Sequence, residues 1–284
     1  MQGLNVKIWG TRGSMSAPYP DRMIYGGNTS CVSVEWDDEI LIFDCGSGIR
    51  AVSDYLTKNI VSYKKEIHIF ISHLHLDHIM GLPFFSQIYQ KDWTIHLHGT
   101  SDLNASFQER IGKIVASPYW PVPLFKAGAK ILWHELDFEK NITLPGNVTI
   151  KMLSSNHPDN TTLFRLEKDG TSIVYGLDCE LTETFYDKYI TFVDHCDLLL
   201  FDGMYTECEI EHFRGFGHSF WKQGIQIMEA ASVKKLCIMH HDWARTDSEL
   251  TKMEQDAKAL NENCIFAREG MSFCFKTGGM NYEI

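Results

Sequence analysis

A dense group of potential metal ligands lies in the segment "SHLHLDHIMGLP", residues 72–83. It places three histidines and one aspartate in six positions: His73, His75, Asp77 and His78. Imidazole nitrogens and carboxylate oxygens together suit a borderline divalent metal such as zinc. Four such groups are too many for one catalytic metal that also keeps a water molecule. They would serve two metals about 3.5–4 Å apart, the spacing that clamps an in-line displacement.

Two metals need further ligands from other parts of the chain. His157 lies in "SSNHPDN" between two predicted strands, Asp178 ends the strand "VYGLD", and His240 and His241 end the strand "CIMHH". Each residue alone would more often be a structural or turn residue. Their joint placement at strand ends is informative, because sites on a folded scaffold collect their residues from such loops.

The segments around these residues indicate an α/β fold. Alternating and apolar runs predict strands at "NVKIWG", "TSCVSVEW" and "EILIFD", and "EIHIFISH" is a strand that delivers Ser72 and His73 to its C-terminal end. Further strands form a second group, with helical patterns between the groups. This order predicts two sheets packed face to face with helices outside.

Composition narrows the class of protein. The 284 residues are 44% hydrophobic, and no linker or low-complexity tract divides them, so we expect one domain over residues 1–284. The net charge of −11 makes long nucleic acid a poor partner. No signal peptide, membrane-crossing run or CxxC pair is visible, which favours a cytoplasmic protein with reduced thiols and no membrane partner.

The pattern "HLHLDH", followed by a later His, Asp and His, resembles the metallo-β-lactamase superfamily. The similarity is closer to its phosphodiesterase branch, which includes tRNase Z and PhnP-like proteins. The segments "WGTRGS", "GGNTSC", "IFDCGSG" and "HIMGLP" match motifs of that branch. The matching pieces run from the first strand to about Trp243. The resemblance implies an α/β, four-layer αββα sandwich.

The resemblance also implies two divalent metals, zinc by preference and manganese as the alternative. Carried over residue by residue, the first metal is held by His73, His75 and His157. The second is held by Asp77, His78 and a histidine at the last site, and Asp178 bridges both. That last site is usually "LxLTH", and counting from Leu236 gives His240, with His241 as the fallback.

Two further pieces match the catalytic machinery of the branch. Its "LLIHEA" and "GHST" correspond here to "LLLFDG" and "FGHSF", which give Asp202 and His218. The departures are Asp for Glu and Phe220 for Thr. The implied reaction is hydrolysis of a phosphodiester by a hydroxide that the two metals activate and Asp77 orients. His218, held by Asp202, would stabilise the transition state and protonate the leaving oxygen.

A feature that the sequence lacks narrows the range of possible substrates. The tRNA-processing members carry a long Gly/Pro-rich arm, whereas Gly81–Asn156 shows ordinary strand and helix patterns. With the acidic net charge, this favours a small phosphodiester, such as a 3′,5′-cyclic nucleotide.

Three alternatives stay open. One is a tRNA 3′-processing endonuclease, and another is a hydrolase of a lactone or thioester, against which the Asp202/His218 pair argues. The third is a metal-binding sensor without turnover.

The resemblance implies a homodimer. His96 and His98 share a strand face and are interpreted as strand residues, near the site at most. His68 and His134 have no assigned role.

Overall fold

The computed structural model describes residues 3–59, 63–159, 161–276 and 279–283. In chain order, the strands of these residues are β1 (Leu4–Gly10), β2 (Cys31–Trp36), β3 (Glu39–Phe43), β4 (Glu66–Phe70), β5 (Thr94–Gly99), β6 (Lys130–Glu135), β7 (Ile142–Leu144), β8 (Val148–Ser154), β9 (Thr162–Lys168), β10 (Thr171–Gly176), β11 (Leu198–Asp202), β12 (Leu236–Met239), β13 (Cys264–Phe266), β14 (Ser272–Lys276) and β15 (Gly279–Glu283). The helices are α1 (Ile49–Lys58), α2 (Leu76–Ile79), α3 (Phe107–Ile114), α4 (Glu183–Val193), α5 (Trp221–Ala230) and α6 (Asp247–Leu260).

The chain divides into two compact units, and each contains one sheet. The first unit takes in the described residues of Met1–Gly10, Ser30–Asp137 and Gly270–Ile284. The second unit consists of Thr11–Thr29 and the described residues of Phe138–Glu269. The single domain expected from the sequence stays a prediction. Among the described residues, every helix is too short or too polar to span a membrane.

The first unit is built on an eight-stranded sheet in the order β15-β14-β1-β2-β3-β4-β5-β6. Strands β3 to β6 run parallel, and the other pairs are antiparallel. One face of the parallel strands forms a hydrophobic core with α1, to which β4 and β5 contribute every second residue: Ile67, Ile69, Ile95 and Leu97. The residues between them, including His68 and His96, therefore lie on the opposite face.

The second unit contains a seven-stranded sheet in the order β13-β12-β11-β10-β9-β8-β7. Strands β10 to β13 run parallel, and β7 to β10 are antiparallel. All residues of β11 and β12 are buried, as expected for central parallel strands. Their apolar side chains form a core with α5 and α6 that includes Leu199, Phe201, Ile225 and Ile238.

Parallel pairing in the second unit brings the carboxyl ends of β10, β11 and β12 to one edge of the sheet. The register pairs Gly176 with Phe201 and Asp202 with Met239. Residues that follow these strand ends are consequently neighbours in space, whatever their separation along the chain.

Candidate metal centre

The histidine-rich segment of the first unit folds into a compact cluster. Two residues after β4 the chain reaches Ser72, and α2 then begins with His75 at its N-cap. The ring centroid of His73 lies 4.4 Å from that of His75 and 4.3 Å from that of His78. Asp77 Oδ2 is 3.3 Å from His78 Nε2. The four predicted ligands of this segment are therefore neighbours.

A buried carboxylate that the sequence analysis did not single out orients this cluster. Asp44 follows β3, and its Oδ2 lies 2.7 Å from His78 Nδ1. Its two oxygens also accept hydrogen bonds from the backbone N–H and the hydroxyl of Ser72, both at 2.7 Å. A carboxylate at Nδ1 places the proton there, so Nε2 of His78 carries the lone pair that a metal requires. The signal for Asp44 was the aspartate of "IFDCGSG".

The strand ends of the second unit bring another group of predicted residues together. Asp202 is the last residue of β11, His240 follows β12, and Asp178 lies two residues beyond β10. One ligand atom from each of these residues and one from His218 all lie within 4.8 Å of one another. His157, between β8 and β9, lies beside them.

Asp178 is the centre of this group. Its Oδ1 lies 3.4 Å from His240 Nε2, 3.8 Å from His218 Nδ1 and 3.9 Å from His157 Nε2. The last two distances exceed hydrogen-bond length. The distances to His157 and His240 suit ligand atoms arranged around a shared cation, since a zinc ion lies about 2.0–2.1 Å from each imidazole nitrogen. A buried carboxylate surrounded by imidazoles thus fits a divalent metal in its donor chemistry.

The predicted Asp202/His218 pair is in contact. Asp202 Oδ2 lies 2.8 Å from His218 Nδ1, while Asp202 Oδ1 accepts from the backbone N–H of Met204 at 3.1 Å. Both partners are buried. The carboxylate of Glu180 accepts from the backbone N–H of Gly215 at 2.8 Å and so holds the loop that leads to His218. Nδ1 is engaged by Asp202, so Nε2 is the nitrogen that can meet a substrate.

Unusual backbone conformations occur at three of these strand ends. The backbone φ values are 60° at Asp44, 55° at Asp178 and 56° at His240. These values lie in the left-handed region, which residues other than glycine rarely adopt. Such a conformation costs about 1–3 kcal/mol at a non-glycine residue and is concentrated at functional sites. It turns each side chain away from the path that an extended strand would give it.

Two glycines of the second unit leave room for the imidazoles. A Cβ on Gly13 would come within 2.3 Å of His240 Nδ1, and a Cβ on Gly217 would come within 2.2 Å of His157 Cδ2. Both contacts are far below van der Waals distance. The second glycine of "WGTRGS", Gly13, is thereby explained as a residue against which the ring of His240 packs.

The neighbouring His241 has a different environment. Its Nε2 lies 3.0 Å from the carbonyl oxygen of Ala267, and its ring stacks on Phe266 with centroids 5.6 Å apart. Burial lowers the pKa of His241 to about 3. His240, and not His241, approaches Asp178, as counting from Leu236 predicted.

Comparison with known proteins now gives the family. The model of the beta-lactamase superfamily domain matches residues 39–241, and the chain belongs to this superfamily. A ribonuclease Z of Picrophilus torridus is 26% identical, and the match covers 94% of each chain. The predicted resemblance is confirmed, and the protein is a metal-dependent hydrolase.

Solved structures show the same fold. The metallo-β-lactamase fold protein YhfI from Bacillus subtilis superposes with a TM-score of 0.74 at 18% identity, over 97% of this chain and 100% of that one. A diphosphatase from the PhnP family gives a TM-score of 0.66 at 14% identity, over 96% and 98%. The predicted α/β class and metallo-β-lactamase fold are therefore confirmed.

Proposed function

We propose that this chain is a phosphodiesterase that uses two divalent metals, zinc by preference and manganese as the alternative. The observation that carries the proposal is the buried Asp202/His218 pair beside Asp178 and His240. An imidazole oriented by a carboxylate, and placed next to metal ligands, is suited to contact phosphate oxygens. Bound metals would supply Lewis-acid activation of water and neutralise charge on the phosphate.

The proposed ligands are the seven residues that the sequence predicts. One metal is assigned to His73, His75 and His157, the other to Asp77, His78 and His240, with Asp178 shared. Asp44, itself held by Ser72, fixes the ring of His78 through the hydrogen bonds described above. Asp77 is assigned a second task, the orientation of the attacking water.

His218 is assigned the role of acid. Its Nδ1 contacts Asp202 at 2.8 Å, so its Nε2 faces the reaction. A donor at that nitrogen stabilises the charge that develops on the phosphoryl oxygens and passes a proton to the leaving oxygen. The ring stacks on His240 with centroids 4.9 Å apart, which keeps the acid beside a metal ligand.

The favoured substrate is a small phosphodiester, such as a 3′,5′-cyclic nucleotide. Residues 81–156, where a tRNA-binding arm would lie, contain seven basic and six acidic side chains, so this stretch is nearly neutral. Around His218 the cations are already paired with acids: Arg214 with Glu211 and Lys222 with Glu207. Binding a nucleic-acid backbone requires cations that are available to phosphates.

The second candidate is a tRNA 3′-processing endonuclease. The match to the Picrophilus torridus ribonuclease Z, which extends over 94% of both chains, favours it. The two candidates share the metals, the ligands and the acid, and they differ only in what carries the phosphate. The homodimer that the resemblance implies stays a prediction, which sedimentation velocity would test.

One assay separates these functions. The purified protein, loaded with zinc or manganese, is given bis(p-nitrophenyl) phosphate, a panel of cyclic nucleotides and a pre-tRNA transcript at two salt concentrations. His218→Ala serves as the control for contaminating nucleases. We expect hydrolysis of the generic diester and of at least one cyclic nucleotide, with the pre-tRNA left intact.

Each other outcome has a clear meaning. Cleavage of pre-tRNA at its 3′ end, weakening with salt, would replace the small substrate by the second candidate and keep the chemistry. A metal-loaded protein inert towards every diester would overturn the phosphodiesterase proposal and favour a metal-binding sensor.

A further inference from the structure

A second group of histidines lies in the first unit, on the sheet face opposite α1. His68 is on β4, His96 and His98 are on β5, and His134 is on β6. The parallel register pairs His68 with His96 and His98 with His134. Because side chains alternate between the faces of a strand, all four rings lie on one face.

The four rings are in direct contact. His68 Nδ1 lies 3.0 Å from His98 Nε2, and His96 Nδ1 lies 2.9 Å from His134 Nε2. The rings of His68 and His96 stack with centroids 4.2 Å apart, and those of His98 and His134 with centroids 4.4 Å apart. Phe70 stacks on His98 at 4.2 Å and closes one end of the group.

Two histidines of this group, His68 and His98, are held in the neutral form. Burial lowers the pKa of His98 to about 2 and that of His68 to about 4, and the neighbouring imidazoles act in the same direction. Neutral imidazole is the form that binds a metal. His68 and His98 therefore carry no positive charge that would repel a cation.

One nitrogen of the group has no hydrogen-bond partner. His98 is 3% exposed, and among the described residues nothing accepts from or donates to its buried Nδ1. A buried polar atom left in this state has a free-energy cost, because it has lost its hydration without gaining a hydrogen bond. A cation bound at this Nδ1 would offset that cost.

We propose that His68, His96 and His98 form an additional metal site, separate from the seven predicted ligands, for a borderline divalent cation such as zinc. One ring nitrogen from each residue lies within 4.8 Å of the other two. Three histidines are a donor set that zinc accepts in proteins.

The carboxylate of Glu66 defines how His96 would take part. Its Oε1 lies 2.7 Å from His96 Nε2, which places the proton of the ring on that nitrogen. The lone pair is therefore on Nδ1, the atom that now meets His134. A carboxylate that orients a histidine in this way is the usual outer partner of a zinc ligand. A metal on Nδ1 would replace the His134 donor.

The test measures how many zinc ions each chain binds. Wild-type protein and the double variant His68→Phe/His98→Phe are loaded with zinc, freed of excess metal by gel filtration and analysed by inductively coupled plasma mass spectrometry. Phenylalanine keeps the ring stacking and removes the nitrogens. We expect one zinc per chain fewer in the double variant. His195→Phe, at a histidine whose side chain is 74% exposed, should keep the wild-type content.

A second variant covers the case in which the double variant does not fold. His96→Gln replaces a less buried ring, and circular dichroism and thermal unfolding confirm its fold. It too should hold one zinc fewer than the wild type and should still hydrolyse bis(p-nitrophenyl) phosphate. If the wild type and folded His96→Gln bind the same amount of zinc per chain, the proposal is overturned and the four histidines serve only in packing. The readout is a difference in metal content, so it stands whether or not the proposed phosphodiesterase activity is found.

Discussion

The predicted ligands of the two units are assembled in different ways. In the first unit, six consecutive positions supply His73, His75, Asp77 and His78, and one short helix start holds them together. In the second unit, Asp178 and His240 follow strands of the parallel part of the sheet and meet through its register, whereas His157 comes from the loop between antiparallel β8 and β9. Chain connectivity forms the first group, whereas the sheet forms the second.

The same contrast applies to what fixes each side chain. In the first unit, the Asp44 carboxylate accepts hydrogen bonds from His78 and from the Ser72 hydroxyl and so orients the ring of His78. In the second unit, left-handed backbone at Asp178 and His240 and the close approach of Gly13 perform this task. A conservative substitution at a residue that holds one ring by a hydrogen bond should therefore have a smaller effect than a substitution at a residue that several side chains surround. The following predictions test this difference, from the largest effect to the smallest.

The largest effect is expected at Asp178. Three imidazole nitrogens lie within 3.9 Å of its Oδ1, so Asp178→Ala removes the carboxylate on which the second group is centred. We expect loss of bound metal and a fall in turnover beyond the ~10⁴-fold that one general acid–base group contributes. Metal analysis and diester hydrolysis measure both. Asp187→Ala, on the exposed side of α4, is the control, and full metal content in Asp178→Ala would contradict the assignment.

His218→Ala should separate chemistry from metal binding. Loss of an oriented acid lowers kcat by about 10²–10⁴-fold, while metal content should stay unchanged because none of the seven proposed ligands is altered. Asp202→Asn should have a smaller effect, because the ring keeps a hydrogen-bonding partner at Nδ1. Steady-state kinetics and metal analysis of the same samples test this. A parallel loss of metal would make His218 a ligand and remove its assignment as acid.

Asp44→Asn tests the hydrogen-bonded group of the first unit. The substitution weakens the contact that orients His78, and outer partners of this kind contribute about 10–100-fold to metal affinity. Competition with a chelator measures the affinity, and Asp54→Asn, at a surface ion pair with Arg50, is the matched control. An unchanged affinity would mean that the segment holds its metal through chain connectivity alone.

The smallest effect on activity is expected at His241. His241→Phe keeps the stacking on Phe266, so metal content and turnover should match the wild type. The carbonyl of Ala267 loses its partner, which should lower the free energy of unfolding by about 1–3 kcal/mol, measured by denaturant titration. His240→Phe is the counterpart and should lose metal. The opposite result in this pair would move the last ligand to His241.

Much of the predicted site could be read from the sequence because its residues are unusual in type or in position. Three histidines in one short segment need no tertiary information to be noticed. Asp178 and His240 were found because each follows an apolar strand. Asp44 was missed as a functional residue, since its contact with His78 spans 34 residues and depends on the adjacency of β3 and β4.

The second histidine group shows the same limit. His96 and His98 were noticed as alternating strand residues, but a pattern on one strand does not reveal what lies on its neighbours. Only the register of β4 against β5 places His68 beside His96, and only β6 brings His134 to His98. Strand register is set by long-range packing, which no local pattern contains.

The sequence by itself determined the superfamily, the residue types of the proposed ligands and the pairing of Asp202 with His218, because these depend on residue type and order. The tertiary structure decided which ring nitrogen of His78 and of His218 is engaged by a carboxylate. It also decided which of two adjacent histidines approaches Asp178. The physical reason is that ring direction follows from backbone conformation and from contacts between distant strands, as the left-handed φ of His240 and its packing against Gly13 show.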